Sequence, residues 1–225
     1  MKQNIKKAAV LGAGTMGAQI AGHLANAGIP CLLFDINQDA AEKGKEVLSS
    51  LKPAPLYKPK NVELITACNY QHDLQRISET DWILEAVVEQ LDIKEKVYSN
   101  LLPYLKESAI ITSSTSGIPL SDLTKNLPTN VKKRFMITHF FNPPRYMQLL
   151  ELVKGEHTSE SVYNKMATFG EFVLGKGIVH AKDTPNFIGN RIGIFGMMTA
   201  MNLAIEQGLS VEEVEPEKHP LIELL

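Results

Sequence analysis

Apolar residues along this chain fall in short runs, and the stretches between them repeat at helical spacing. Lys7 to Leu11 is an apolar run ending at Gly12, as expected of a parallel strand buried on both faces. Met16, Ile20, Leu24 and Ala27 then recur every three or four positions, and Gly28 stops the helix they predict. Cys31-Leu32-Leu33-Phe34 is a second run, closed by Asp35. Strand, glycine turn, helix, strand and acid make one βαβ unit.

The alternation continues. The pattern predicts helices over Ala40 to Leu51, Leu91 to Leu105, Pro119 to Leu127 and Glu160 to Leu174. It predicts strands over Val62 to Thr66, Trp82 to Val88, Ala109 to Thr112, Arg134 to Phe140, Met147 to Val153 and Gly177 to Ala181. Three prolines between Lys52 and Pro59 exclude regular structure there. Phe187 to Ile205 is helical and apolar on nearly every face. Its length raises a membrane span, but Asn190, Arg191, Asn202 and Glu206 count against one, and such a helix packs against other helices. The expected fold is α/β: a Rossmann-type doubly wound, mainly parallel sheet over 1–185, then over 186–225 the first helix of a truncated helical C-terminal domain.

A formal charge of −2 gives no reason to expect nucleic acid or an acidic membrane as partner. Cys31 and Cys68 stand in no metal-ligand spacing and read as reduced thiols, which points to the cytoplasm. Lysines followed by an apolar run raise a signal peptide at the N-terminus; glycines at nucleotide-turn spacing argue against it.

Those glycines carry the first chemical reading. In Gly12-Ala13-Gly14-Thr15-Met16-Gly17, the first glycine permits a tight turn, the second lets the backbone approach a pyrophosphate, and the third lets helix pack on strand. The following helix offers free N–H groups and its positive dipole end to phosphate. Asp35 closes the second strand 18 residues after Gly17. There it would accept hydrogen bonds from ribose hydroxyls and repel a 2′-phosphate, favouring NAD over NADP. Read alone, Asp35 is a capping or loop acid.

Further on, Glu85-Ala86-Val87-Val88-Glu89, Ser113-Ser114-Thr115-Ser116-Gly117, Thr138-His139-Phe140-Phe141-Asn142-Pro143, Leu149-Leu150-Glu151-Leu152-Val153 and Asp183-Thr184-Pro185-Asn186-Phe187-Ile188-Gly189-Asn190-Arg191 follow in order. In order and spacing they resemble the 3-hydroxyacyl-CoA dehydrogenases, from about Lys6 to about Val214. The segment around Lys52 to Leu56 resembles the bacterial branch in which the dehydrogenase is the front part of a larger β-oxidation protein.

The resemblance implies hydride transfer from C3 of an L-3-hydroxyacyl-CoA to NAD, with His139 taking the hydroxyl proton. It gives Glu151 the far imidazole nitrogen, and Ser116 and Asn190 the substrate's C3 oxygen. Glu89, Lys94 and Asn142 match positions that contact the cofactor. Read alone, these residues are blander: His139 a packed core histidine, Glu151 an exposed strand residue, Ser116 a turn or capping serine. Asn190 would be a polar residue at a helix start, and Lys94 a solvated helix lysine.

The chain departs from the family in three places. Ser114 stands where relatives carry asparagine. The stretch from Ala40 to Val62 is shorter than the helical hairpin that helps relatives hold CoA. After Val214 the sequence leaves the family pattern and reads as a truncated or frameshifted tail. An apolar helix at 187–205 without its partners is expected to pack against a second copy of the chain. Two rival readings stand beside the dehydrogenase: a non-catalytic NAD-binding fragment, and a β-hydroxyacid dehydrogenase acting on a free acid. The pairing of His139 with Glu151 argues against the second, whose enzymes rely on a lysine base.

Overall fold

The computed structural model describes residues 5–214. The strands are β1 (Ala8–Leu11), β2 (Cys31–Asp35), β3 (Ile65–Asn69), β4 (Trp82–Glu85), β5 (Ile110–Ser113), β6 (Phe135–Phe140), β7 (Leu149–Lys154) and β8 (Gly177–Ala181). They form one sheet in the order β3-β2-β1-β4-β5-β6-β7-β8. Every pairing is parallel except β6 with β7. This is the doubly wound Rossmann arrangement, in which the order reverses between β1 and β4.

The apolar runs on these strands are continuous because both faces of the sheet are covered. Ala8 and Val10 face one hydrophobic cluster, with Ile20 and Leu24 of α1 (Thr15–Asn26) and Met166 and Phe169 of α6 (Glu160–Phe172). Ala9 and Leu11 face the other, with Tyr98 and Leu101 of α3 (Leu91–Leu101) and Leu123 of α4 (Leu120–Thr124). Trp82 packs edge-on against Phe169 at 5.6 Å, and its indole N–H donates to Thr112 Oγ1 at 2.9 Å. This satisfies the one polar atom of a fully buried ring.

Several elements differ in extent from the sequence reading. β3 starts at Ile65, because Pro59–Leu64 winds into a 3₁₀ helix ahead of it. β4 stops at Glu85 rather than Val88. The helix after β2, α2 (Gln38–Glu46), is capped by Asn37, whose side chain accepts from the Ala40 N–H. α4 ends at Thr124, and a further short helix, α5 (Thr129–Lys132), follows it; Pro128 at its N-cap was its sequence signal.

Contacts divide the chain after Phe187 into two compact units. The second holds α7 (Gly189–Glu206) and α8 (Val211–Val214). Among the described residues no helix is long and apolar enough to cross a membrane. The tail predicted after Val214 lies outside the described residues.

Candidate functional site

A cleft of about 840 Å³ opens where the strand order reverses. Gly12, Gly14, Thr15, Met16 and Asp35 line one part, and Val87, Val88, Glu89, Ser114 and Ser116 another. Gly12 has φ +99°, and a Cβ there would lie 2.6 Å from the Ala86 carbonyl oxygen. A Cβ on Gly17 would lie 1.8 Å from the Gly12 carbonyl oxygen. Both glycines are therefore demanded by the protein's own packing. Gly14 is different: a Cβ there meets nothing within 4 Å, so the space beside it belongs to the cleft.

Asp35 does two things at this turn. Its Oδ2 accepts from the Ala13 N–H at 2.7 Å and its Oδ1 from the Ile36 N–H at 2.7 Å. It braces the glycine turn while keeping lone pairs free, since a carboxylate has about four acceptor sites. Tyr70 also lines this part of the cleft, stacked on Phe34 at 5.8 Å. Its hydroxyl is shielded from water and has no hydrogen-bond partner among the described residues. Burial and the Asp35 charge both hold that phenol protonated. An open face at Gly14, spare acceptors on Asp35 and an orphaned phenol hydroxyl all fit a dinucleotide.

At the other part, a buried charge network ties two loops together. Glu85, fully buried at the end of β4, accepts from four donors. Its Oε1 takes the Lys94 ammonium at 2.6 Å and the Val87 N–H at 2.8 Å. Its Oε2 takes the Tyr98 hydroxyl at 2.6 Å and the Ser113 hydroxyl at 2.7 Å. Burial, then the charge of Glu85, pushes the Tyr98 phenol well above its ordinary range. Lys94 is buried too, so the solvated helix lysine read from the sequence is corrected: it stands behind the cleft wall, 3.1 Å from Glu89 Oε2. The pair is committed, since removing one partner of a buried ion pair costs about 3–5 kcal/mol.

Glu89 itself is half-exposed to the cleft, and its other oxygen holds the loop after β5. It accepts from the Thr115 hydroxyl, from the Ser116 N–H at 3.0 Å and from the Gly117 N–H at 3.4 Å. Burial pushes its carboxyl up, but the Thr115 hydroxyl, Lys94 and the Ser116 N–H outweigh that and hold it below the usual range.

The loop held this way presents Ser116 to His139. Ser116 Oγ lies 3.2 Å from His139 Nε2, and His139 Nδ1 lies 2.7 Å from Glu151 Oε2. The second contact comes from the antiparallel register of β6 on β7, which sets His139 directly opposite Glu151. Opposed residues share a face of the sheet, and a one-residue slip would send Glu151 to the other face. Glu151 is fully buried, not the exposed strand residue it resembles when read alone. As a carboxylate only accepts, the neutral form of this ring carries its proton on Nδ1 and turns the Nε2 lone pair toward Ser116. Phe141 and Phe187 pack on the imidazole at 4.6 and 5.4 Å.

Asn142 follows β6 and is tied back to α1: its Oδ1 accepts from Gln19 Nε2 at 3.0 Å. Gln19 also donates to the Thr15 carbonyl at 3.2 Å, which links this loop to the glycine turn. Lys176 pins the rest of that loop through the carbonyls of Pro144 and Met147, the latter at 2.8 Å, and burial lowers its ammonium to about 8. Asn190 lies in the second unit, in the first turn of α7.

Sequence reasoning gave no role of their own to Glu85 and Ser113, and passed over Tyr98, Tyr70, Gln19 and Lys176. Glu85 had a signal, since it is a lone acid ending an apolar strand. Lys94 and Tyr98 had another: spaced four apart on one helix, they present a cation and a phenol to the same point.

Comparison with known proteins gives concordant results. The family described as 3-hydroxyacyl-CoA dehydrogenase, NAD binding domain, matches residues 7–184. Two proteins named "Probable 3-hydroxyacyl-CoA dehydrogenase" are close relatives. The one from Bacillus subtilis is 42% identical over 99% of this chain and 31% of its own length. The one from Deinococcus radiodurans is 40% identical over 97% of this chain and 65% of its own. Thus the chain spans under a third of one relative and just under two thirds of the other. The crystal structure of (S)-3-hydroxybutyryl-CoA dehydrogenase from Ralstonia eutropha superposes with a TM-score of 0.81 at 30% identity, covering 93% of this chain and 75% of that one.

Proposed function

This chain belongs to the 3-hydroxyacyl-CoA dehydrogenase family, with NAD as cofactor, and from that premise we propose that it oxidises L-3-hydroxyacyl-CoA to 3-oxoacyl-CoA in cytoplasmic fatty-acid β-oxidation. The observation that carries this reading is the row Glu151, His139, Ser116, aligned at 2.7 and 3.2 Å. A hydroxyl must lose its proton as C3 loses hydride, and a neutral imidazole with its lone pair facing outward is suited to take it. NAD, when bound, accepts the hydride.

Each of this chain's residues then has a task. His139 Nε2 takes the substrate proton. Glu151 holds the imidazole in one tautomer and stabilises the imidazolium that forms. Ser116 shares a hydrogen bond with the C3 oxygen, and the family resemblance gives Asn190, in the second unit, the role of an amide donor toward substrate. Backbone N–H groups of Gly14, Thr15, Met16 and Gly17 cradle the pyrophosphate, and Gly12, whose own N–H is given to the Phe34 carbonyl at 2.8 Å, makes the turn that brings them there. Asp35 accepts from the ribose hydroxyls through its spare lone pairs. Glu89, Lys94 and Asn142 serve the nicotinamide side, Lys94 through Glu89. Two copies of the chain pair through the helix at 187–205.

A second reading, an NAD-binding piece without turnover, is favoured by the short span of the chain on its relatives. The test is NADH oxidation with acetoacetyl-CoA by this chain and by His139→Gln. Turnover that drops at least about a hundredfold in the variant, the scale of a general base, supports the dehydrogenase. NADH binding without turnover in the parent chain supports the second reading.

A further inference from the structure

We propose that Glu85 is a positioning residue that sets the charge of the nicotinamide end of the cleft, leaving one uncompensated negative charge there that favours oxidised over reduced cofactor. The inference rests on the cofactor reading above. It starts from an arrangement of three charges. Lys94 is shared by two carboxylates, Glu85 at 2.6 Å and Glu89 at 3.1 Å. Among the described residues no second cation lies within ion-pair distance of either acid. Four donors converge on Glu85, two to each oxygen. Ser113 Oγ also accepts from the Thr115 N–H at 3.2 Å, so its own proton is available to Glu85. Only an ionised carboxylate accepts on both oxygens without donating. Glu85 therefore engages the lysine from behind, and Glu89 faces the cleft with its charge only partly neutralised.

The location gives that charge its consequence. Asp35 and the glycine turn mark the adenosine and pyrophosphate part of the cleft, while Glu89, Ser114 and Ser116 mark the other. Ser116 contacts His139, so the reacting ring belongs beside Glu89. The oxidised nicotinamide carries a positive charge and the reduced ring none. A net negative charge at that wall binds the first more tightly than the second. The same network fixes the Ser116 backbone through Glu89, so charge and geometry are set together.

Glu85→Gln keeps the shape and removes the charge. Titration of NAD⁺ and of NADH, each against parent and variant, should show NAD⁺ weakened relative to NADH roughly tenfold, the effect of one charge several ångström away at intermediate dielectric. Tyr98→Phe removes a donor to the same carboxylate without changing charge, and should leave the ratio of the two affinities where it is in the parent. A ratio unmoved by Glu85→Gln, or moved equally by Tyr98→Phe, overturns the proposal. If the buried substitution prevents folding, Glu89→Gln removes the same charge at a half-exposed position; it must shift the ratio in the same direction, and an unmoved ratio again overturns the proposal. A parent chain that binds neither cofactor overturns the cofactor reading and this inference with it. A parent that binds both, with variants that do not move the ratio, overturns this inference alone.

Discussion

Gly14 and Gly17 belong to one turn, yet different things forbid a side chain at each. At Gly17 the obstacle is internal, the Gly12 carbonyl oxygen 1.8 Å from the would-be Cβ. At Gly14 nothing of the protein is in the way. Gly17→Ala should therefore lower the melting temperature, with a stability loss of about 1–3 kcal/mol as for other overpacked sites, and weaken NADH binding as well. Gly14→Ala should melt within a degree or two of the parent, roughly the scale of a neutral surface change, and still lose NADH affinity. Thermal melts beside fluorescence titrations decide it; equal melting losses in both variants would sink the distinction. The glycines and Asp35 were legible in the sequence because their spacing is local. The burial of Lys94 was not, because its partner is a strand residue whose acidity says nothing by itself about where it points.

At the scale of elements, α1 is fastened to the end of α6 by His23, whose Nε2 lies 3.0 Å from the Leu174 carbonyl oxygen. Burial, and then the nearby Lys176 ammonium, lowers this imidazole to about 4. Its Nδ1 has no hydrogen-bond partner among the described residues. The unfolded chain, with a histidine near 6.5, thus takes up its proton before the folded chain does. The contribution is whole above pH 6.5 and is lost as pH falls toward 4, amounting to about 3 kcal/mol. Denaturant melts between pH 4 and 7 should show this slope in the parent and a shallower one in His23→Gln; parallel curves would count against it. Most elements were legible, since their hydrophobic period is local. The antiparallel sense of β7 was not: Met147 to Val153 reads as a strand, but nothing in it names its neighbour or direction.

At the scale of the whole molecule, α7 presents apolar side chains that stay exposed among the described residues. Ile192, Phe195 and Ile205 are 67%, 74% and 75% exposed, and no residue of the helix is buried. Contiguous apolar surface of this kind marks an interaction site. Sedimentation of the chain over a wide concentration range should show a dimer, and Phe195→Lys should shift it to monomer. A parent chain that stays monomeric at the highest concentration removes the pairing proposal. The sequence made the helix legible, because its apolar character is written in every turn, but a partner's surface is not part of that record.

The lone antiparallel pairing also bears on how the sheet assembles. Ala8 must find Trp82 across two intervening strands, two α-helices and their connections, whereas His139 meets Glu151 across a single loop. The entropy lost in closing a loop grows with the logarithm of its length, so the hairpin is among the least demanding non-local contacts the chain makes. The acid–base pair is thereby written into a supersecondary unit of its own, while the cofactor turn depends on strands gathered from a long stretch of chain.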